Sequence, residues 1–232
     1  GMGLLVAIAA LVTMFTALYY YFFQDDLKKL LAYSTIAQLG YIMLGLGIGS
    51  MGATMATRGA VLHILMHAVA KTTLFLTVGA IAYALGTRSI SKLSGIAGMM
   101  PIVTASFFVG ALGLTGIPPL ACFWSKMYML AGALQVAGAL GPIVLILVLV
   151  ESLISFGWFL WVGHKVFFNK LREGLAPAVE DDPLPPDEKS LEPAGAIDPP
   201  RSMEWTLGVM CVLTLVAPLA GIPLVSLLVV GH

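Results

Sequence analysis

The stretch AVLHILMHAVAKTTLFLTVGAIAYAL, residues 60–85, decides the fold of this protein. It is apolar over more than the ~20 residues that a helix needs to cross the hydrocarbon core of a bilayer, so it predicts a transmembrane helix. Three ionisable residues interrupt this stretch: His63, His67 and Lys71. A charged side chain at the bilayer centre costs ~3 kcal/mol on insertion scales, so such residues usually face a protein interior or a water path.

Five further apolar stretches are long enough to cross a membrane: 4–23, 30–48, 102–134, 142–162 and 206–230. The chain of 232 residues is 59% hydrophobic and 10% charged, whereas soluble domains are about 25% charged. This composition excludes a water-soluble monomer, and zero net charge without a basic face excludes a nucleic-acid-binding protein. We predict an all-α integral membrane protein with about six transmembrane helices. The three tyrosines that end the first stretch, 19–21, are interpreted as an aromatic cluster at the membrane interface.

The fourth stretch contains LTGIPPLACFWSKMYML, residues 114–130. Gly116, Pro118 and Pro119 predict a broken helix, because proline removes a backbone donor and clashes with the preceding turn. A break at membrane depth is tolerated where it is buried in protein or lines a cavity. Lys126 follows the break, and broken helices beside intramembrane charges are typical of transporters. A simple proline kink is the alternative, and the nearby lysine favours the functional interpretation.

His63, His67 and Lys71 lie at positions i, i+4 and i+8. This spacing puts them on one helix face, with ~6 Å of axial rise between consecutive members. Histidine changes its charge near neutral pH, so the pattern predicts a proton relay through intervening waters. A metal site is disfavoured because no carboxylate or thiolate lies nearby. Hydrogen bonding between helices is the remaining alternative for the two histidines.

A carboxylate interrupts the fifth stretch at Glu151, in ILVLVESLISFGW. Three interpretations are open: a proton-binding site, a partner for a lysine, or a protonated carboxyl that bonds a neighbouring helix. Polar side chains also punctuate the second stretch, where they either join helices or hold water; they are Ser34, Thr35, Gln38 and Tyr41.

Residues 165–204 hold nine of the twelve acidic residues and seven of the thirteen prolines, which predicts a solvated acidic, proline-rich linker. It separates a five-helix unit, 1–164, from a terminal transmembrane helix, 205–232. Lysines and arginines between the predicted spans lie on the side of this linker, except Arg58. The linker is therefore predicted to be cytoplasmic and both termini to lie outside. An outside start is natural for a chain that is cut or split from a longer one.

The motifs at 26–44, 63–81 and 114–130 resemble, in order and spacing, the antiporter-like proton-translocating subunits of respiratory complex I, Mrp-type cation/proton antiporters and membrane-bound hydrogenases. The resemblance covers roughly residues 4–165. It implies the second of two inverted five-helix repeats, followed by one terminal helix. It also implies that His63 and His67 lead to a central Lys71, that Lys126 ends the axis, and that Lys28 lies near the entry. Glu151 has no counterpart in it.

The resemblance implies a half-channel for protons in a redox-driven ion-pumping complex of the prokaryotic cytoplasmic membrane, such as complex I or a membrane-bound hydrogenase. Expected partners are lipid, other membrane-arm subunits, a chain that supplies the missing first repeat, and soluble electron-transfer subunits. The chain shows no redox, cofactor or metal motif, so any oxidoreductase activity would belong to the complex. One alternative is a subunit of an Mrp-type sodium/proton antiporter. The other is a non-conducting structural subunit of the membrane arm.

Overall fold

The computed structural model describes residues 1–170 and 199–230, and these parts of the chain are helical. Short turns of 3-10 helix at Ile96–Gly98 and of π-helix at His164–Phe168 accompany the main elements. The α-helices are α1 (Met2–Tyr21), α2 (Leu27–Gly49), α3 (Thr54–Leu85), α4 (Pro101–Thr115), α5 (Ala121–Ala133), α6 (Leu140–Gly163) and α7 (Arg201–Val230). The predicted all-α fold is confirmed, and within the described ranges there is no regular β-strand.

Five of these helices are long and apolar enough to cross a membrane: α1, α2, α3, α6 with its π-turn, and α7. Their outward faces are apolar as well. Leu5, Leu153 and Leu227, for example, are each more than 60% exposed. A surface of large apolar side chains on this scale belongs in lipid rather than in water. The predicted integral membrane protein is therefore confirmed.

The fourth predicted span, 102–134, is divided into α4 and α5 by a break at 116–120. Helix α4 ends where Gly116 adopts a φ of +89°, a left-handed conformation that favours glycine. Pro118 and Pro119 follow, and neither can donate a backbone hydrogen bond to continue the helix. Helix α5 starts again at Ala121. The break predicted at Gly116, Pro118 and Pro119 is confirmed.

Helix α3 occupies the middle of the bundle and packs against α2, α4, α5 and α7. Its contact with α5 is close because glycines stand on both sides. A Cβ atom on Gly132 would overlap the Ala56 amide nitrogen, and one on Gly59 would lie 2.5 Å from the Met129 amide nitrogen. Small residues let transmembrane helices approach backbone to backbone. This packing fixes α5, and hence Lys126, against the histidine-bearing α3.

Replacing Gly132 by alanine is expected to destabilise the protein, because the added methyl group would overlap the backbone of Ala56 and push α5 away from α3. Overpacking of this kind costs about 1–3 kcal/mol. Thermal denaturation in detergent should show a lower Tm. The amount of the variant recovered from the membrane should be lower as well. The matched control is Gly157→Ala in α6, where the new methyl group meets no atom within 4 Å. Equal Tm values for the two variants would contradict the close α3–α5 packing.

Three connections meet at one end of the bundle. Asp26 caps α2 by accepting from the amides of Lys28 and Lys29, and it forms an ion pair with Arg88 of the α3–α4 loop at 3.3 Å. Ser94 of the same loop donates to the carbonyl of Lys170, beyond α6, at 2.7 Å. One end of the bundle is therefore formed by the α1–α2 turn, the α3–α4 loop and the end of α6. We call it the basic end. Arg58 lies at the opposite end, near the start of α3.

Several helix boundaries differ from the sequence prediction; for example, α3 begins at Thr54 rather than at 60. Helical structure after α6 continues through the π-turn to Phe168, beyond the predicted end at residue 162, and α7 begins at Arg201 rather than at 206. Most of the predicted linker, 171–198, lies outside the described residues. After α6 the apolar residues Val166, Phe167 and Phe168 continue the helical structure, whereas α7 begins with a largely polar turn, RSMEW at 201–205, ahead of its apolar span.

Candidate functional site

Ionisable and polar side chains line the interior between α2, α3, α5 and α6, although the helices are otherwise apolar. These side chains are buried, each at most 9% exposed. Polar groups inside a membrane bundle usually face the protein interior or a water path, and these side chains face the interior rather than lipid. We call them, with Tyr21 and Ser152 that contact them, the polar network: Ser34, Gln38, Tyr41, His63, His67, Lys71, Ser125, Lys126, Glu151 and Ser155.

Lys71 lies near the middle of α3 and is 5% exposed. Its Nζ donates to the Leu31 carbonyl at 2.8 Å and to Ser34 Oγ at 2.5 Å, both on α2. These partners are uncharged. A primary amine in such a site can be held as an ammonium that donates to both oxygens. After it loses a proton, it can remain as a neutral amine that accepts from the serine.

His63 is fully buried and bonded at both ring nitrogens. Nε2 lies 2.9 Å from Gln38 Oε1 and Nδ1 lies 2.8 Å from Ser125 Oγ. The serine hydroxyl also lies within hydrogen-bond reach of the Cys122 carbonyl, at 3.0 Å. Its single hydrogen can therefore serve either acceptor. A neutral imidazole takes that hydrogen, whereas an imidazolium donates to Ser125, which then donates to Cys122. Both protonation states keep their hydrogen bonds.

Ser125→Ala is expected to slow any proton transfer that passes through His63, because the imidazolium would lose the acceptor that lets it donate from Nδ1. We expect roughly a tenfold lower translocation rate, at the low end of what a positioned proton-transfer group contributes. The measurement is proton uptake into vesicles that hold the native complex, with Ser91→Ala in the exposed α3–α4 loop as the matched control. Unchanged translocation in Ser125→Ala would show that His63 does not change its charge.

His67 stacks beside His63, with the ring centroids 6.0 Å apart and the ring planes nearly parallel. It is 9% exposed. Its Nε2 is buried and makes no hydrogen bond within the described residues. A buried nitrogen of this kind can bind a water molecule, which is a common role of ordered water in protein interiors. His67 thus bridges the interval between His63 and Lys71 along the same helix face.

Lys126 projects from α5 back into the break. Its Nζ donates to the carbonyl of Thr115, the last residue of α4, at 3.1 Å and to Ser152 Oγ of α6 at 3.0 Å. The same Nζ lies 4.3 Å from the centre of the Tyr41 ring. A helix end leaves carbonyls without intrahelical donors and carries partial negative charge, so a lysine fits there. The break and the lysine therefore form one structural unit, completed by a cation–π contact.

Glu151 is fully buried near the middle of α6 and belongs to the same network. Its two carboxylate oxygens accept from Tyr41 Oη and from Ser155 Oγ, the latter at 2.7 Å. Tyr41 also lies 2.8 Å from Ser152 Oγ, and Tyr21 Oη lies 2.5 Å from Ser155 Oγ. The glutamate thus contacts neighbouring helix α2 and connects to Lys126 through Tyr41 and Ser152.

The structure brings five of the predicted site residues into one network, namely His63, His67, Lys71, Lys126 and Glu151. Lys28 is not among them, because it lies in the exposed first turn of α2 at the basic end. The interpretation of Tyr21 as part of an aromatic cluster at the membrane interface is wrong. Tyr21 is 1% exposed and bonded inside the bundle, whereas Tyr19 and Tyr20 of the predicted aromatic cluster are exposed.

Sequence reasoning did not assign three serines of the network, Ser125, Ser152 and Ser155. For Ser152 and Ser155 the sequence offered one signal, because they follow Glu151 at i+1 and i+4 and so lie near it on the same helix. Their partners lie on other helices and more than a hundred residues away in the cases of Tyr41 and Tyr21. Such pairings depend on the tertiary arrangement and leave no local pattern.

The chain is similar to known proteins over most of its length. The family model described as NADH:quinone oxidoreductase/Mrp antiporter, transmembrane, matches residues 2–155. NADH-quinone oxidoreductase subunit N of Desulforudis audaxviator is 37% identical over 163 residues, which are 70% of this chain and 31% of that protein. The chloroplastic NAD(P)H-quinone oxidoreductase subunit 5 of Nuphar advena is 46% identical over 112 residues, 44% of this chain and 14% of that protein.

Two solved structures share the fold. A chain of the Mrp complex from Dietzia sp. DQ12-45-1b is 25% identical with a TM-score of 0.75, covering 96% of this chain and 45% of that one. A chain of the membrane-bound sulfane sulfur reductase, an archaeal respiratory membrane complex, is 29% identical with a TM-score of 0.73, covering 92% and 32%. The present chain thus spans less than half of each of these four relatives. Because the family model covers more than half of the chain and contains the whole polar network, the protein belongs to the NADH:quinone oxidoreductase/Mrp antiporter transmembrane family.

Proposed function

We propose that this chain is a proton-translocating, antiporter-like half-channel of a redox-driven membrane complex. The observation that carries the proposal is a pair of lysines, Lys71 and Lys126, each 5% exposed inside an apolar helix bundle. Both are held by uncharged oxygens. Intramembrane ionisable groups are costly and are a mark of ion or proton paths. The family relationship supports the same function, because its relatives include subunits of respiratory complexes.

The proposed path runs across the bundle. His67 lies one turn from Lys71, and His63 contacts Ser125, the residue before Lys126. Protons therefore pass between Lys71 and Lys126 by way of these two histidines and water, along the membrane midplane. Two ammonium groups repel each other in a medium of low dielectric constant, so a proton arriving on one lysine favours its release from the other. Through this repulsion, a change in the charge of one lysine can alter proton binding in a neighbouring subunit. Lys28, at the basic end, would lie near the entry.

The orientation and the organisation of the chain are part of the proposal. The basic end carries Lys28, Lys29, Arg88 and Lys92, which supports a cytoplasmic location for it and for the linker 165–204. The starts of α1 and α3 then lie outside, and so does the end of α7. The unit 1–164 corresponds to the second repeat and 205–232 to the terminal helix. Soluble electron-transfer subunits complete the complex.

Sodium/proton antiport is the second candidate function, because one of the matching solved structures is an Mrp complex. An antiporter would use the same lysines and histidines but would exchange protons against sodium without an electron donor. The polar network suits both functions, since each needs a group that gains and loses a proton in the membrane interior.

The native complex, purified in mild detergent through a tag on this chain, tests the two candidates. Co-purifying iron–sulfur, flavin or hydrogenase subunits, together with proton uptake that follows the electron-transfer reaction, would establish a redox-driven pump. Membrane subunits alone, with sodium-dependent proton flux in vesicles, would establish an antiporter. If transport by the complex is unchanged when Lys71 and Lys126 are both replaced by alanine, the chain is a non-conducting structural subunit and the proposal is wrong.

A further inference from the structure

The buried carboxylate of Glu151 extends the proton path beyond the two lysines, an inference that rests on the proposed function. We propose that Glu151 is a further proton-binding residue that exchanges a proton with Lys126 through Ser152 and Tyr41. Full burial in the middle of α6 and bonds to both carboxylate oxygens place it inside the polar network. The groups that face it are Tyr21 of α1, Tyr41 of α2 and Lys126 of α5, with Ser152 and Ser155 of its own helix.

The hydrogen bonds between Lys126 and Glu151 have one consistent direction. The hydroxyl of Tyr41 has a single hydrogen, which it donates to Glu151 Oε2. The contact between Tyr41 and Ser152, 2.8 Å long, must then be donated by the serine. Ser152 in turn accepts from Lys126 Nζ at 3.0 Å. Each hydroxyl thus accepts one hydrogen and donates one, and the chain is oriented from the ammonium to the carboxylate.

An oriented chain of this kind can move one proton without moving any heavy atom far. The N–H bond of Lys126 breaks as Ser152 gains that proton, Ser152 gives its own hydrogen to Tyr41, and Tyr41 gives its own to Glu151. The ammonium and carboxylate become an amine and a carboxylic acid, while each hydroxyl again holds one hydrogen. No electron is transferred and no co-reactant is needed. The reverse shift returns the proton to Lys126.

A second oriented chain reaches Glu151 from the other carboxylate oxygen. Ser155 Oγ donates to Oε1 at 2.7 Å, so the contact between Tyr21 Oη and Ser155 Oγ, 2.5 Å long, is donated by the tyrosine. Tyr21 is the last residue of α1, and α1 ends at the turn that belongs to the basic end. Donation in this branch runs from Tyr21 through Ser155 to Glu151, so the carboxylate accepts one chain from the basic end and one from Lys126 beside the broken helix.

A structural role for Glu151 makes different predictions. A carboxylate that merely balances the charge of Lys126, or joins α6 to α1 and α2, does not need to bind and release a proton. Tyr41→Phe separates the structural role from the proton-binding role. It keeps the aromatic ring beneath Lys126 and the bond from Ser155 to Glu151, but it removes the hydroxyl that links Lys126 to Glu151 through Ser152. Glu151→Gln keeps the side-chain shape but cannot take up the proton.

The experiment uses the native complex in closed membrane vesicles, with Glu151→Gln, Tyr41→Phe, Lys71→Ala and the matched control Tyr83→Phe, which lies in the last turn of α3. We expect both Glu151→Gln and Tyr41→Phe to lower proton translocation roughly tenfold or more while the complex still assembles. Infrared difference spectra of the wild-type complex should show a carboxyl band that changes during turnover. This band should be absent from Glu151→Gln and should no longer change in Tyr41→Phe.

The outcomes separate this inference from the proposed function. If Lys71→Ala loses translocation while Glu151→Gln and Tyr41→Phe retain it, or if Glu151→Gln leaves the infrared difference spectrum unchanged, Glu151 does not exchange protons and the inference is wrong, although the half-channel remains. If the wild-type complex moves no protons, or if Lys71→Ala still moves them at the wild-type rate, the proposed function itself fails. Loss of translocation together with loss of the band supports both.

Discussion

Proton translocation is expected to fall about 100-fold or more when Lys71 is replaced by alanine, while the complex still assembles. The loss follows because methyl cannot hold the proton that arrives from the histidines. Assembly should survive because removing Lys71 leaves no partner unsatisfied. Ser34 Oγ already donates to the Leu31 carbonyl at 2.9 Å, the same carbonyl that Lys71 contacts. Taking a lone ammonium out of the membrane interior also removes a desolvation cost.

The measurement for Lys71→Ala is the initial rate of proton uptake into vesicles, normalised to the amount of assembled complex on a native gel. Lys29→Ala is the matched control, because it removes the same side chain from an exposed position in the first turn of α2. Its rate should equal that of the wild type. A wild-type rate in Lys71→Ala would remove Lys71 from the path, and loss of assembly would show that the ammonium has a structural role instead.

Lys126→Ala is expected to reduce both translocation and stability. Translocation should again fall about 100-fold, because the path loses the residue that links the broken helix to α6. Stability should fall as well, because the Thr115 carbonyl at the end of α4 loses its donor. A buried carbonyl without a partner costs about 1–3 kcal/mol. Lys126 thus differs from Lys71, whose removal leaves its neighbours bonded.

The Tm of the purified complex, measured beside proton uptake, tests this difference between the lysines. Lys126→Arg provides the control for stability, because its guanidinium keeps donors for Thr115 and Ser152 but stays charged under all ordinary conditions. We expect Lys126→Arg to recover part of the lost Tm and none of the translocation. If Lys126→Ala has the Tm of Lys71→Ala, the lysine does not support the break between α4 and α5.

The membrane fold was predictable from the sequence because hydropathy and proline placement act locally. A run of about 20 apolar residues has few alternatives to a membrane helix, and Gly116, Pro118 and Pro119 cannot continue one. The helix ends were less predictable. Apolar residues after 162 extend the helical structure beyond α6, and α7 begins with the polar turn at 201–205, which an apolar-span criterion does not include.

The candidate site was predictable in its ionisable residues but not in the network between them. The i, i+4, i+8 spacing of His63, His67 and Lys71 is a property of one helix, and α3 reproduces it. The bonds of Glu151 depend instead on where α1, α2 and α5 meet α6. Nothing local to Tyr21 distinguishes it from its exposed neighbours Tyr19 and Tyr20. Its burial is set by the direction in which α1 presents that face to α6.

The most direct test of the proposed function is the proton-uptake rate of the native complex carrying Lys71→Arg. Arginine keeps the positive charge and the hydrogen-bond donors of this buried site but does not release a proton under ordinary conditions. Loss of translocation in an assembled Lys71→Arg complex, matching the loss in Lys71→Ala, is the result expected if Lys71 carries protons. Translocation at the wild-type rate in Lys71→Arg would mean that a fixed charge suffices and would contradict proton transfer through Lys71.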